Sequence, residues 1–271
     1  MPSPSRTAAL GWVLVSYFMI AGGFAFAAVA VTLSGVTSHG PSDAAFFIGS
    51  FIGGVFAGRA SRHKAVAEPA IAALLVVATL VGVFVVGLGR QFAWAGDDDA
   101  LWVPVKLGLV AGLGGFVGGL IGRRSRRGAP SDSAVRWWGI ATLINLGASF
   151  MLVAIAMVLL GRSTDGGDEG VGSILLGLVV GWLVAGFVSQ AVAPRKMVWV
   201  CGAGAIGIVL LGASFSVARG DFTPSVVTGA FFLWGMGTVV GAIGAALGWK
   251  LIASRAEPTS PVELPEVRLR P

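Results

Sequence analysis

The residues in this sequence that could carry chemistry are few and far apart. The two histidines, His39 and His63, lie in different connecting segments, and the single cysteine, Cys201, lies in an apolar run. A metal site or a proton relay needs several such groups together, and a disulfide needs a second cysteine. No HExxH, GxSxG or clustered His/Asp pattern occurs. We therefore predict no catalytic residue, no metal site and no enzymatic activity.

Residues 202–207 match the GxGxxG pattern of dinucleotide-binding proteins, and Asp221 follows roughly 20 residues after its start. That pattern binds a cofactor only where a strand, a tight turn and a helix follow one another. Here the glycines lie inside a continuous apolar stretch. We therefore expect them to serve close helix packing, and we predict no cofactor.

Two charged clusters have ordinary explanations in a membrane protein. The carboxylates at 97–99 and 165–169 resemble cation ligands, but their spacing differs from that of an EF-hand loop. The arginines at 123–127 are typical of a loop that fixes membrane orientation. We predict neither a metal site nor nucleic-acid binding from them.

The composition predicts a membrane protein. Hydrophobic residues make up 55% of the 271 residues and charged residues 12%, and the mean hydropathy is +0.86. A soluble domain averages about 25% charged residues. This balance excludes an ordinary cytosolic enzyme, a disordered chain and a collagen.

Eight apolar segments are each close to the ~20 residues that a helix needs to cross a bilayer. They do not alternate apolar and polar residues as barrel strands do. We therefore predict an all-α integral membrane protein with eight transmembrane helices, at about residues 9–34, 43–61, 68–89, 104–122, 137–161, 171–193, 197–218 and 226–249.

The charges of the connecting segments predict the orientation. One set, with both termini, carries 15 basic and 5 acidic residues, and the other carries 4 basic and 8 acidic. Basic loops stay in the cytoplasm. We predict both termini inside and a multi-pass protein of the cytoplasmic membrane. The 15 arginines against 4 lysines suggest a bacterial, inner-membrane origin.

The two halves of the chain resemble each other. Gly49 and Gly53 match Gly177 and Gly181 at an offset of 128, and Trp12 matches Trp138 at an offset of 126. We predict two parallel four-helix repeats, residues 1–128 and 129–250, followed by a disordered cytoplasmic tail at 251–271. Because each unit has an even number of spans, a pseudo-twofold axis along the membrane normal would relate them.

Glycine concentrates in the even-numbered segments. Residues four apart share one face of a helix, and a face without Cβ atoms lets two backbones approach closely. We expect these segments at the packed centre of the protein and the odd-numbered ones nearer lipid. The predicted helix-packing glycines are Gly49, Gly53, Gly114, Gly118, Gly122, Gly177, Gly181, Gly237 and Gly241.

Three residues break the similarity of the halves or the apolar pattern. Trp182 stands where the first half has Gly54, and Trp234 stands where it has Gly108. These rings fill space that exact symmetry would leave open, either as packing or as a gate or ligand platform. Asn145 is an amide well inside a span, and it either bonds across helices or contacts a solute.

Two functions remain on the sequence alone. The first is a non-enzymatic interaction or accessory component, with the lipid bilayer around it and another membrane protein, or a second copy of itself, as its partner. It fits the absence of Asp, Glu, Lys and Arg deep in the predicted spans. The second is a passive channel or facilitator for a small neutral or weakly polar solute, lined by residues such as Asn145, Trp182 and Trp234.

Overall fold

A computed structural model describes residues 6–33, 40–60, 67–88, 102–125, 133–160, 169–193, 195–220 and 223–256. Every element in these ranges is a helix, because a chain without water around it must satisfy its backbone groups internally. The helices are α1 (Arg6–Leu33), α2 (Gly40–Ala60), α3 (Ala67–Leu88), α4 (Trp102–Arg124), α5 (Ala134–Leu160), α6 (Glu169–Val192), α7 (Val198–Ala203), α8 (Ile206–Ala218) and α9 (Pro224–Ala256).

Five of the described helices are long and apolar enough to cross a membrane, which makes this a multi-pass membrane protein. They comprise Gly11–Val31, Trp102–Arg124, Ala134–Leu160, Val171–Val192 and Pro224–Leu251. Two shorter apolar stretches, Ala67–Val83 and Val198–Ser214, accompany them, and α2 belongs to neither group. The count of eight spans therefore stays a prediction.

The seventh predicted segment is broken, which differs from the continuous span that we expected around the GxGxxG pattern. α7 ends at Ala203 and α8 begins at Ile206. Between them the backbone tightens, since the N–H of Ala205 bonds to Gly202 O at 3.0 Å and that of Gly207 to Gly204 O at 3.2 Å. Bonds over three residues instead of four mark a local 3₁₀ turn. The glycines lower the local preference for an α-helix.

The first two helices of each half pack in the same way. A Cβ atom on Gly49 of α2 would lie 2.5 Å from the Cα of Phe24 in α1, and one on Gly177 of α6 would lie 2.6 Å from the Cα of Val153 in α5. One turn further, Gly53 meets Ile20 and Gly181 meets Ser149. Glycine at these positions lets the antiparallel helices touch backbone to backbone.

The second and fourth helices of each half run parallel and also touch through glycine. In the first half, Gly114, Gly118 and Gly122 of α4 meet the backbone carbonyls of Phe47, Phe51 and Val55 in α2. In the second half, Gly244 and Gly248 of α9 meet the backbone carbonyls of Leu183 and Phe187 in α6. α9 has two further predicted glycines, Gly237 against Ala205 and Trp182, and Gly241 against Gly202.

The halves differ by about one helical turn in this packing. At the offsets used above, Gly58 corresponds to Gly186 and Gly115 to Gly241. In the structure, however, Gly58 meets the carbonyl of Gly119, one turn beyond Gly115, whereas Gly186 meets Gly241 itself. The α6–α9 pair therefore differs from the α2–α4 pair by a shift of about 5.4 Å along the helix axis, which is one helical turn.

The centre of the protein is formed by α1 and α5, so the expectation that the even-numbered helices occupy it is wrong. Gly22 of α1 meets the carbonyl of Leu143, and Gly147 of α5 meets the carbonyl of Phe18. This crossing is reciprocal, as in an interface with twofold symmetry. The most apolar window is 56% buried in α1 and 17% in α9, whereas those of α4 and α6, at 44%, are buried slightly more than that of α5, at 39%. The even helices pair within their own half.

Polar contacts tie the helix ends together at the end of the bundle that carries Arg59 and Arg123, called the basic end here. Arg59 Nε donates to Ser125 Oγ at 2.8 Å, and Arg136 donates to the carbonyl of Arg59 at 2.9 Å. These bonds join α2, α4 and the start of α5. At the opposite end, Lys106 of α4 pairs with Asp43 of α2.

Several sequence-based expectations concern residues that the structure does not describe. His39, His63, Asp221 and the carboxylates at 97–99 and 165–168 lie outside the described residues, as does the tail from 257 onward. Residues 251–256, which we assigned to a disordered tail, are the last turns of α9.

The α1–α5 crossing predicts a strong position effect for alanine on α5. Gly147→Ala places a methyl group against the backbone of α1, so we expect the free energy of unfolding to fall by about 1–3 kcal/mol. Gly139 is a matched control on the same helix, because no atom lies within 4 Å of a Cβ added there. Gly139→Ala should be neutral or stabilising by up to about 1 kcal/mol. Unfolding in mixed micelles by added sodium dodecyl sulfate measures both, and equal losses would contradict this packing.

Candidate functional site

Asn145 lies in the interior of the second half with its amide unbonded. It is fully buried, and neither Oδ1 nor Nδ2 has a hydrogen-bond partner among the described residues. Ala141 and Ser149 lie one turn on either side of it on the same face of α5. Ala141 packs against Gly204, and Ser149 packs against Gly181. Asn145 therefore faces the space between α6 and the α7–α8 break.

Trp182 fills this interior from the side of α6. Its ring is fully buried, and a Cβ added to Gly237 of α9 would lie 2.9 Å from the ring atom Cε2. The same Cβ would lie 2.8 Å from Ala205, the residue at the helix break. The ring thus lies where α6, α9 and the break meet. Its Nε1 has no partner among the described residues.

Six buried polar side chains of the second half have no partner among the described residues. Ser149 Oγ and Thr238 Oγ1 are buried without a partner, as are the Asn145 amide and the Trp182 indole, and the other two atoms are Trp137 Nε1 and Ser189 Oγ. All six side chains are neutral, and they include hydrogen-bond donors and acceptors. Leaving such groups unpaired in an apolar interior costs about 1–3 kcal/mol each. A hydrogen-bonding molecule bound to any of them would recover part of that energy.

Trp234 lies beside the break between α7 and α8. At the α7–α8 break, Gly207 N–H bonds to Gly204 instead of Ala203, which frees the carbonyl of Ala203. Trp138 Nε1 donates to this carbonyl at 3.2 Å, and Trp234 Nε1 approaches it at 3.5 Å. A carbonyl released inside lipid must find such a donor. The two indoles therefore stabilise the broken helix.

Gly54 and Gly108, which correspond to the two tryptophans in the first half, show why the halves differ. At Gly54, the carbonyl of Gly115 in α4 would lie 2.7 Å from an added Cβ, so the first half has closed up and holds no open space there. At Gly108 the surface is a shallow apolar groove with Leu74 nearby. Trp182 thus lies in the half in which α9 is displaced along α6. Trp234 lies beside the α7–α8 break, whereas α3, the corresponding helix of the first half, is continuous.

Gln190 is a structural residue whose role the sequence did not indicate. Its side chain is buried, Nε2 donates to the carbonyl of Arg195 at 2.9 Å, and Oε1 accepts from the N–H of Met197 at 2.8 Å. The amide therefore closes the turn between α6 and α7. An amide three residues before the end of an apolar segment is the only signal that could have found it.

One apolar groove lies between α6, α8 and α9, in the half of the bundle away from the basic end. Its volume is about 290 Å³, and Trp182 lines it. Neither Asn145 nor Trp234 is among its lining residues. Of the three predicted cavity residues, Asn145 and Trp182 are fully buried, and Trp234 lies at the helix break.

Charged chemistry does not enter this interior. Within the described ranges, every buried polar side chain is uncharged, and no group of three metal-ligating side chains is present. The described interior can thus offer hydrogen bonds and apolar contact. No protein-family model matches the chain, and no curated protein or solved structure matches it significantly. Function must therefore be inferred from the chain's own residues.

The Ala203 carbonyl predicts unequal effects for two conservative substitutions. Trp138→Phe keeps an aromatic ring but removes the 3.2 Å hydrogen bond, so we expect a loss of about 1 kcal/mol in unfolding free energy. Trp234→Phe removes the longer contact and should cost less. Trp199→Phe is the control, because that ring is 69% exposed. Micellar unfolding of the three variants checks this order, and an equal effect at Trp199 would contradict the role of the carbonyl.

Proposed function

We propose that this is a non-enzymatic component of the cytoplasmic membrane that acts by lateral contact with another membrane protein through α9. In this proposal both termini are cytoplasmic. The seven unbroken helices and the α7–α8 pair make eight spans, arranged as two four-helix repeats about a pseudo-twofold axis. The parallel α1–α5 crossing and the matching α1–α2 and α5–α6 contacts support this arrangement. The backbones of α1 and α5 occupy the axis where a symmetric pore would run.

The observation that carries the proposal is the exposed face of α9. It is the longest described helix, with 33 residues, and the least buried of the five candidate spans. Gly235, Val239, Ile243 and Leu247 follow one another at intervals of four, so they share one face, and all are exposed. No atom lies within 4 Å of a Cβ added to Gly235. A small residue within an apolar face lets a partner helix approach closely in lipid.

A photo-reactive amino acid at Val239 tests this proposal in native membranes. Leu113 of α4 is the matched control, because the two side chains are 54% and 57% exposed. We expect a discrete cross-linked protein from Val239 and none of that mass from Leu113. A product of twice the chain's mass would identify a second copy as the partner. Identical, lipid-only adducts at both positions would contradict the proposal.

A second function is favoured by the six unpartnered polar side chains of the second half. Neutral donors and acceptors within one half fit a passive facilitator for a small neutral or weakly polar solute, because they offer hydrogen bonds without charge. Such a path would run through the second half, beside Asn145 and Trp182, and not along the α1–α5 axis.

Solute flux separates the two functions. Proteoliposomes are exposed to urea or glycerol gradients, and their volume is followed by stopped-flow light scattering. If the protein acts only by interaction, proteoliposomes should have the same permeability to these solutes as protein-free vesicles. Faster flux that Asn145→Leu removes would instead support the facilitator. Thr79→Val is the control for loss of a polar group, since Thr79 Oγ1 bonds within its own helix to Leu75 O.

A further inference from the structure

We propose that the groove between α6, α8 and α9 holds one acyl chain of a bilayer lipid. The groove runs beside α8 from Ile208 to Ser216, a distance of about 12 Å at 1.5 Å per residue. It begins two residues before the end of α8 and reaches Trp182 in the middle of α6. A lipid chain runs in the same direction, from the membrane surface toward the midplane.

The volume of the groove selects a single chain over a protein helix. An α-helix is about 10 Å across, so the 290 Å³ groove is too small to take in the body of a helix and could receive only its side chains. The volume is also at the lower limit of small-molecule pockets, about 300 Å³. A whole lipid does not fit, whereas one extended chain does. The headgroup and the second chain would remain in the bilayer.

The lining of the groove is suited to a hydrocarbon. Its walls are made of apolar side chains such as Leu178, Ile208 and Leu233, and no lining residue is charged. The one lining hydroxyl, on Ser216, is near the end of α8, where the ester group of a lipid would lie. The ring of Trp182 closes the inner end against Gly237 and Ala205.

Missing side chains make the groove. Gly212 of α8 and Gly229 of α9 both line it, and no atom lies within 4 Å of a Cβ added to either. Most other glycines of α9, by contrast, are crowded by neighbouring atoms. A large side chain at Gly212 or Gly229 would therefore occupy the groove without displacing protein atoms near its Cβ. This allows the groove to be filled while the fold stays intact.

The test is the lipid content of the purified full-length chain. Wild type, Gly212→Leu and Gly229→Leu are extracted from the membrane in mild detergent, and bound lipid is counted by native mass spectrometry. Gly235→Leu is the matched control, because it adds the same side chain to α9 at an equally open position outside the groove. We expect about one retained lipid in wild type and in the control, and at least a fivefold loss in both groove variants.

Two results would overturn the proposal. One is equal lipid retention in all four proteins, and the other is a change of oligomeric state in the groove variants without a change in lipid, which would indicate a second protein chain in the groove. Size-exclusion profiles and unfolding midpoints show whether each variant is folded. The two groove variants act from opposite walls, so the test does not depend on one of them. Gly235→Leu also separates this inference from the proposed function, because it should weaken Val239 cross-linking while lipid retention is unchanged.

Discussion

Close contact between helix backbones is the constraint on which the rest of this structure depends. Lipid chains are as apolar as leucine, so burying apolar side chains does not by itself drive membrane helices together. Packing and dispersion must do so, and they are strongest where no Cβ atoms separate the backbones. The contacts between α1 and α5, α2 and α4, and α6 and α9 all rest on glycine. Their geometry sets where every other side chain can lie.

The second half shows what happens when that packing is interrupted. Trp182 occupies the position at which the first half has a glycine contact. In the same half, α9 is displaced along α6 and the seventh predicted segment is broken into α7 and α8. The break then needs donors for its free carbonyl, and Trp138 and Trp234 provide them. The same ring of Trp182 borders both the polar interior and the apolar groove. Asymmetry between the halves therefore creates the distinctive features of the molecule.

Much of the secondary structure could be predicted, because apolar length alone forces a helix in lipid. Each of the eight predicted segments is helical over nearly all of its described residues, although the seventh is two helices. The positions of the glycine faces could also be read from spacing. Their partners could not, since spacing shows which residues share a face but not which helix covers that face. For this reason Gly22 and Gly147 escaped notice although they form the central crossing.

The site was harder to predict than the fold. Asn145 and Trp182 stood out because each breaks a pattern, and both are fully buried. The role of Trp234 depends on a helix break that the hydropathy does not reveal. Gln190 acts on a turn between two apolar segments, and one amide near a helix end has many other uses. Tertiary contacts decide these roles, and the local sequence does not encode them.

Aqueous accessibility of the bundle interior is the most direct test of this close packing. In a Cys201→Ala background, Ser16→Cys on α1 and Ser149→Cys on α5 place thiols at buried positions, and Ser125→Cys places one at the exposed basic end. Each variant is treated in proteoliposomes with a membrane-impermeant maleimide, applied to both faces of the membrane. A closed bundle predicts rapid labelling at position 125 and none at positions 16 and 149. Labelling of position 16 or 149 would show that water reaches the interior, which would contradict the closed centre and favour a solute path.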